Sequence, residues 1–82
     1  MDFIRLGDAT DHGGKVISAS STMDYDGRPL ARKGDEVSCP KHPDVRPNRI
    51  IDGDESMTDH GISLARHGYR ATCGCRVISS LT

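Results

Sequence analysis

Leu64-Ala65-Arg66-His67-Gly68-Tyr69-Arg70-Ala71-Thr72-Cys73 repeats Leu30-Ala31-Arg32-Lys33-Gly34-Asp35-Glu36-Val37-Ser38-Cys39 at a shift of 34 residues. The match extends backwards without a gap, so that Lys15 to Cys39 overlays Arg49 to Cys73 with eight of 25 positions identical. The further identities are Ile17/Ile51, Met23/Met57 and Gly27/Gly61, while Lys15/Arg49 and Val16/Ile50 keep their chemical type. A third, partial copy occupies the two ends of the chain. Arg5, Gly7 and Asp8 recur 27 residues later as Arg32, Gly34 and Asp35, and a shift of 61 carries Gly7 to Gly68 and Val16-Ile17-Ser18 to Val77-Ile78-Ser79. Repetition at a fixed period means one supersecondary unit used several times. Here it yields three corner units, each an Arg-x-Gly turn leading towards an apolar pair. Two longer connectors containing Met-x-x-x-Gly-x-x-Leu-Ala-Arg join them.

The residue types inside the units predict an all-β fold with at most one short helix. Val16-Ile17, Ile50-Ile51 and Val77-Ile78 are β-branched pairs between turn clusters, which suits short strands. Gly27-Arg28-Pro29 and Asp59-His60-Gly61 sit at hairpin-turn positions, where glycine supplies the positive φ of a tight turn. No window keeps an apolar 3.6-residue period long enough for a substantial helix. Some of Ile17, Ile51, Ile78, Leu30 and Leu64 are expected in the core or at the base of the body.

Composition limits what such a body can be. The chain has 82 residues, 34% of them apolar, with nine glycines, one Phe, two Tyr and no Trp. Globular domains usually carry nearer ~45–50% apolar residues, and a core this small rarely yields more than ~3–5 kcal/mol. A metal, a disulfide framework or a partner has to make up the difference. Three cysteines cannot all pair internally, which favours a metal or a partner. A net charge of −1 with scattered Lys and Arg excludes a general nucleic-acid field. Uncharged stretches are too short to span a bilayer, and Met1-Asp2-Phe3-Ile4-Arg5 lacks the apolar core of a signal peptide. The expectation is a chain made in the cytoplasm, where thiols stay reduced, with no stable membrane anchoring.

The repeat also locates a candidate metal site. Five residues on from each corner glycine stand His12, Cys39 and Cys73, a strong zinc ligand in all three copies. Threefold arrangement of the copies would bring these side chains to one point. A fourth donor is expected where the symmetry breaks. From corner glycine to apolar pair is nine residues in the first and third units but sixteen in the second. The extra residues lie in Cys39-Pro40-Lys41-His42-Pro43-Asp44-Val45-Arg46-Pro47-Asn48 and include His42 in a Cys-x-x-His spacing. The expected ligands are therefore His12, Cys39, His42 and Cys73 around one structural zinc ion. Cys75 is an alternate, either replacing one of the four or standing as an inert buried thiol.

Other polar residues have plainer readings. His60 and His67 align with Asp26 and Lys33 and read as exposed side chains. Asp52-Gly53-Asp54-Glu55 lacks the spacing of an EF-hand loop and reads as a turn. Asp8 and Asp35 read as turn caps or ion-pair partners, because the third copy has Tyr69 there. Arg32 and Arg66 should pair with nearby carboxylates, each exposed pair contributing at most ~1 kcal/mol.

Gly7-Asp8-Ala9-Thr10-Asp11-His12-Gly13-Gly14, Pro29-Leu30-Ala31-Arg32-Lys33-Gly34-Asp35, Cys39-Pro40-Lys41-His42, Leu64-Ala65-Arg66 and Thr72-Cys73-Gly74-Cys75 together resemble a PAAR-repeat protein. The naming motif is degenerate here, reading Pro29-Leu30-Ala31-Arg32 and Ser63-Leu64-Ala65-Arg66. The resemblance implies a small pointed β-cone with zinc near its vertex, spanning 1–82 as a single PAAR-repeat domain without an extension domain. It further implies a tip that caps the homotrimeric VgrG spike of a type VI secretion system, one cone per trimer, sharpening it for membrane penetration and helping attach effector proteins. Secretion with the spike, without a signal peptide, would follow. Related tips on contractile phage-like tail spikes and a small zinc-binding adaptor are the alternatives. A thiol enzyme built on Cys39 and His42 is disfavoured, since so small a chain should have little room for a substrate pocket, typically ~300–1,000 Å3.

Overall fold

The computed structural model describes residues 2–81. No helix occurs among them, and the regular strands are few: β1 (Asp24–Tyr25), β2 (Arg28–Pro29), β3 (Asp54–Asp59) and β4 (Ile62–Leu64). They form two antiparallel hairpins, with Tyr25 opposite Arg28 and Asp59 opposite Ile62. Each hairpin turns on two residues of positive φ, Asp26 (53°) with Gly27 (85°) and His60 (51°) with Gly61 (81°). That is the type I′ pattern, whose twist matches the flanking strands. The first turn thus lies one residue earlier than Gly27-Arg28-Pro29, because a two-residue loop needs its positive-φ pair in the centre. Asp54 and Glu55 open β3, so the expected turn over Asp52-Gly53-Asp54-Glu55 continues into a strand.

The corner units are built from isolated bridges rather than ladders. Within each unit, Ala9 pairs with Lys15, Glu36 with Arg49 and Arg70 with Arg76. Between units, Val16 pairs with Val37, Ile50 with Ala71 and Val77 with Thr10. The last pairing returns to the first unit, so the cycle of corner units closes on itself. The repeat shifts of 27, 34 and 61 interconvert the members of every set. The chain therefore has pseudo-threefold symmetry in its hydrogen bonding as well as its sequence.

A second cycle follows directly on the hairpins. Ile4 N–H donates to Ala65 O (3.2 Å), Ala65 N–H to Ala31 O (3.0 Å) and Ala31 N–H to Ile4 O (2.8 Å). All three residues are fully buried. Two of the three positions are alanine, and the third is Ile4, one of the largest fully buried side chains of the body. The corner glycines take φ of 88° (Gly7), 93° (Gly34) and 85° (Gly68), a region costly for any residue with a Cβ. Their N–H groups donate to Val16 O, Ile50 O and Val77 O at 3.0, 2.8 and 2.8 Å.

Two apolar clusters fill this frame. The larger holds Ile4, Val16, Ala31, Val37, Ile50, Ala65, Ala71, Cys75 and Val77, with Tyr69 and Cys73 packed against it. The smaller holds Phe3, Leu30 and Leu64 at the hairpin roots, with Leu81 against it. Leu30 and Leu64 are in the core as expected, whereas Ile17, Ile51 and Ile78 are exposed. Strand alternation explains the difference: their neighbours Val16, Ile50 and Val77 take the inward face.

Candidate metal centre

Two residues beyond the inter-unit pairings at Thr10, Val37 and Ala71 the chain reaches His12, Cys39 and Cys73. Each unit fixes this approach in the same way. Asp11 Oδ1, Ser38 Oγ and Thr72 Oγ1 accept the main-chain N–H of Arg76, Lys15 and Arg49 at 2.8, 2.9 and 3.2 Å. Donor atoms of His12, Cys39, Cys73 and Cys75 then lie within 4.8 Å of one another. His12 Nδ1 stands 3.7 Å from Cys39 Sγ. Two ligands of one tetrahedral zinc, at Zn–S ~2.3 Å and Zn–N ~2.05 Å, would be about 3.6 Å apart. A His/Cys3 donor set, borderline-soft and part-buried, fits a tetrahedral structural ion on both spacing and chemistry.

The position that completes the group was the alternate. Gly14, Asn48 and Cys75 are equivalent under the repeat shifts, and their carbonyls accept from Thr10, Val37 and Ala71 N–H at 3.0, 2.9 and 2.9 Å. In the third unit this inward position carries a thiol, so Cys73 and Cys75 both reach the cluster across Gly74, whose φ is 90°. His42, expected as the fourth donor, stands outside the group. Its N–H donates to Cys39 O at 3.1 Å in a turn, and its ring lies 5.3 Å from that of His12, tilted by 54°. The loop after Cys39 thus carries the His42 ring beside His12 and outside the group of four donors.

Electrostatics separate the thiols. Cys75 is fully buried, and burial, then its contact with the Cys73 and Cys39 sulfurs, pushes its pKa up to about 12. Burial also opposes ionisation of Cys73, but hydrogen bonds from Cys75, Cys39 and Asn48 outweigh it and hold that thiol below its ordinary value. Asp11 Oδ1, which accepts Arg76 N–H, lies 3.9 Å from His12 Nε2, too far for a hydrogen bond to the ring. All three cysteines are free.

The remaining polar residues are structural. Asp8 and Asp35 accept the N–H of Arg5 and Arg32 at 2.8 and 2.7 Å, capping two corners. Asp8 also pairs with Arg28, Arg32 with Asp35 and Asp59, and Arg66 with Asp2 and Asp54. His60 is a solvated turn residue, and exposed His67 accepts Ser79 N–H at 3.1 Å. An open groove of about 670 Å3 lies beside the site, lined by Ile17, Val37, Pro40, His42 and Pro47 among others. Its size corrects the expectation that so small a chain has little room for a pocket. Cys39, on its wall, faces the His12 nitrogen rather than a free base.

Three quasi-equivalent corners, closed by one chain and gathered at a Cys/His cluster that could hold a metal ion, define a small all-β protein with pseudo-threefold symmetry. The chain belongs to the PAAR motif family, whose model matches residues 6–79. No curated protein matches it. Membership supports a type VI secretion spike-tip-like role in general, in a family that is structural rather than enzymatic.

Proposed function

We propose that this chain is a zinc-stabilised tip that caps a homotrimeric VgrG-like spike, one copy per trimer, and helps attach effector proteins. The observation that carries the reading is the closed cycle Val16–Val37, Ile50–Ala71 and Val77–Thr10, by which a single chain acquires three equivalent sides. A trimeric β-helical spike ends in three equivalent strand edges, and only a threefold cap can meet all of them at once. The contact surface in this reading is the hairpin side, where Met23, Tyr25, Met57 and Ile62 are exposed apolar residues on or beside the two hairpins. Burying them against a spike would supply the apolar area that the chain lacks alone.

In this reading zinc is held by His12, Cys39, Cys73 and Cys75. When bound it would supply a closed, redox-inert crosslink between all three corners, with no open position for a substrate. Synthesis in the cytoplasm followed by export with the spike completes the proposal. Co-expression with a candidate spike trimer tests it: one chain should co-purify per three spike chains, and Met57→Glu should abolish retention without lowering the melting midpoint. An equimolar complex, or no retention at all, would refute it.

A further inference from the structure

Asn48 ends the insertion that distinguishes the second unit, and it is the counterpart of Cys75 in the third. Its main chain does what its two counterparts do, accepting Val37 N–H at 2.9 Å. That duty needs no particular side chain. The amide is nevertheless buried, at 6% exposure, and both its ends are used on one residue. Asn48 Nδ2 donates to Cys73 Sγ at 3.2 Å, and Asn48 Oδ1 accepts Cys73 N–H at 3.1 Å. The chemistry dictates the amide's orientation. A main-chain N–H can only donate, so the oxygen must face it and the NH2 must face sulfur.

We infer that Asn48 is a positioning residue of the metal site, orienting the Cys73 sulfur and sharing its negative charge without touching the ion. The inference rests on the metal reading above. Three thiolates against one dication leave an excess negative charge in a part-buried site, and N–H···S hydrogen bonds are the means of spreading it. The two-point hold also fixes the Cys73-Gly74-Cys75 turn, since the same amide restrains main chain and sulfur together. In the first unit the equivalent position cannot help: a Cβ on Gly14 would stand 1.8 Å from Ser38 O. The three copies of one position have thus taken three roles, as a close main-chain approach at Gly14, a sulfur-orienting amide at Asn48 and a ligand at Cys75.

Cobalt(II) titration of the whole chain, with the metal alone as probe, tests this. Wild-type protein should show thiolate-to-cobalt charge-transfer bands that saturate at one equivalent. Asn48→Ala and Asn48→Asp should bind roughly 10- to 100-fold more weakly, with the carboxylate variant the weaker because it sets a negative oxygen against sulfur. At cobalt saturation both should show the charge-transfer band at longer wavelength, because a sulfur lone pair that has lost its hydrogen bond is more easily ionised. Poorer folding alone would lower the apparent affinity and leave the band of the bound form in place. An unmoved band in both variants overturns the inference whatever the affinities. If wild-type protein gives no thiolate band, the metal reading itself fails and takes this role with it.

Discussion

At the scale of single residues, the four clustered donors and the neighbouring His42 predict different outcomes on substitution. Cys75→Ser, isosteric but a poor zinc ligand, should reduce bound zinc and lower the melting midpoint of the purified protein, as should Cys39→Ser. His42→Ala should leave zinc stoichiometry at one per chain, because that ring is not among the four clustered donors. Metal analysis of the three variants distinguishes these outcomes. A pH effect is expected away from the cluster. Ser56 and then Arg66 hydrogen-bond the Asp54 carboxylate and hold its pKa down at about 2. The folded value lies below that of an unfolded aspartate, ~3.9. The stabilisation is therefore complete above roughly pH 4 and disappears as pH falls towards 2. Melting curves across that range should show Asp54→Asn less stable than wild type at neutral pH and converging on it in acid.

At the scale of elements, small residues carry the geometry. Gly14→Ala would drive a methyl group into the Ser38 carbonyl, a backbone clash that cannot be relieved by a rotamer change. It should cost more than the ~1–3 kcal/mol of ordinary overpacking, measurable as a large drop in denaturation midpoint. Ala65→Val, beside Ile4 and Ala31 on the axial cycle, should fall within that ~1–3 kcal/mol range. The corners, the repeat and both connector hairpins were legible in sequence because glycine and β-branched residues have strong local preferences. His12, Cys39 and Cys73 were legible because threefold copies put them in one register. His42 lies outside the group of four donors, with its ring beside that of His12, because a Cys-x-x-His spacing allows shared ligation without requiring it. Cys75 and Asn48 carried a usable signal. The shifts of 61 and 34 that map Gly14 onto them mark both as inward positions, although only the folded cycle reveals what each side chain meets. The burial of Val16, Ile50 and Val77 in place of Ile17, Ile51 and Ile78 was likewise invisible, since both members of each pair are apolar and only the pairing register chooses between them.

At the scale of the whole molecule, the proposed metal site would account for both the low apolar content and the odd cysteine count. Closed main-chain cycles satisfy the backbone, but the larger cluster is built mostly from valine, alanine and isoleucine and includes a cysteine, too little to hold three corners together unaided. The Cys/His cluster sits where each corner sends a side chain, so an ion there crosslinks the first, second and third units at once. Its removal should act on the whole fold rather than on one loop. The most direct measurement is the thermal melting of the purified full chain, zinc-loaded and then stripped by a chelator under reducing conditions. The account predicts one zinc per chain and a midpoint that falls by roughly 20 °C or more, or a cooperative transition that vanishes, on stripping. The same sharp transition at the same temperature with and without zinc would contradict it.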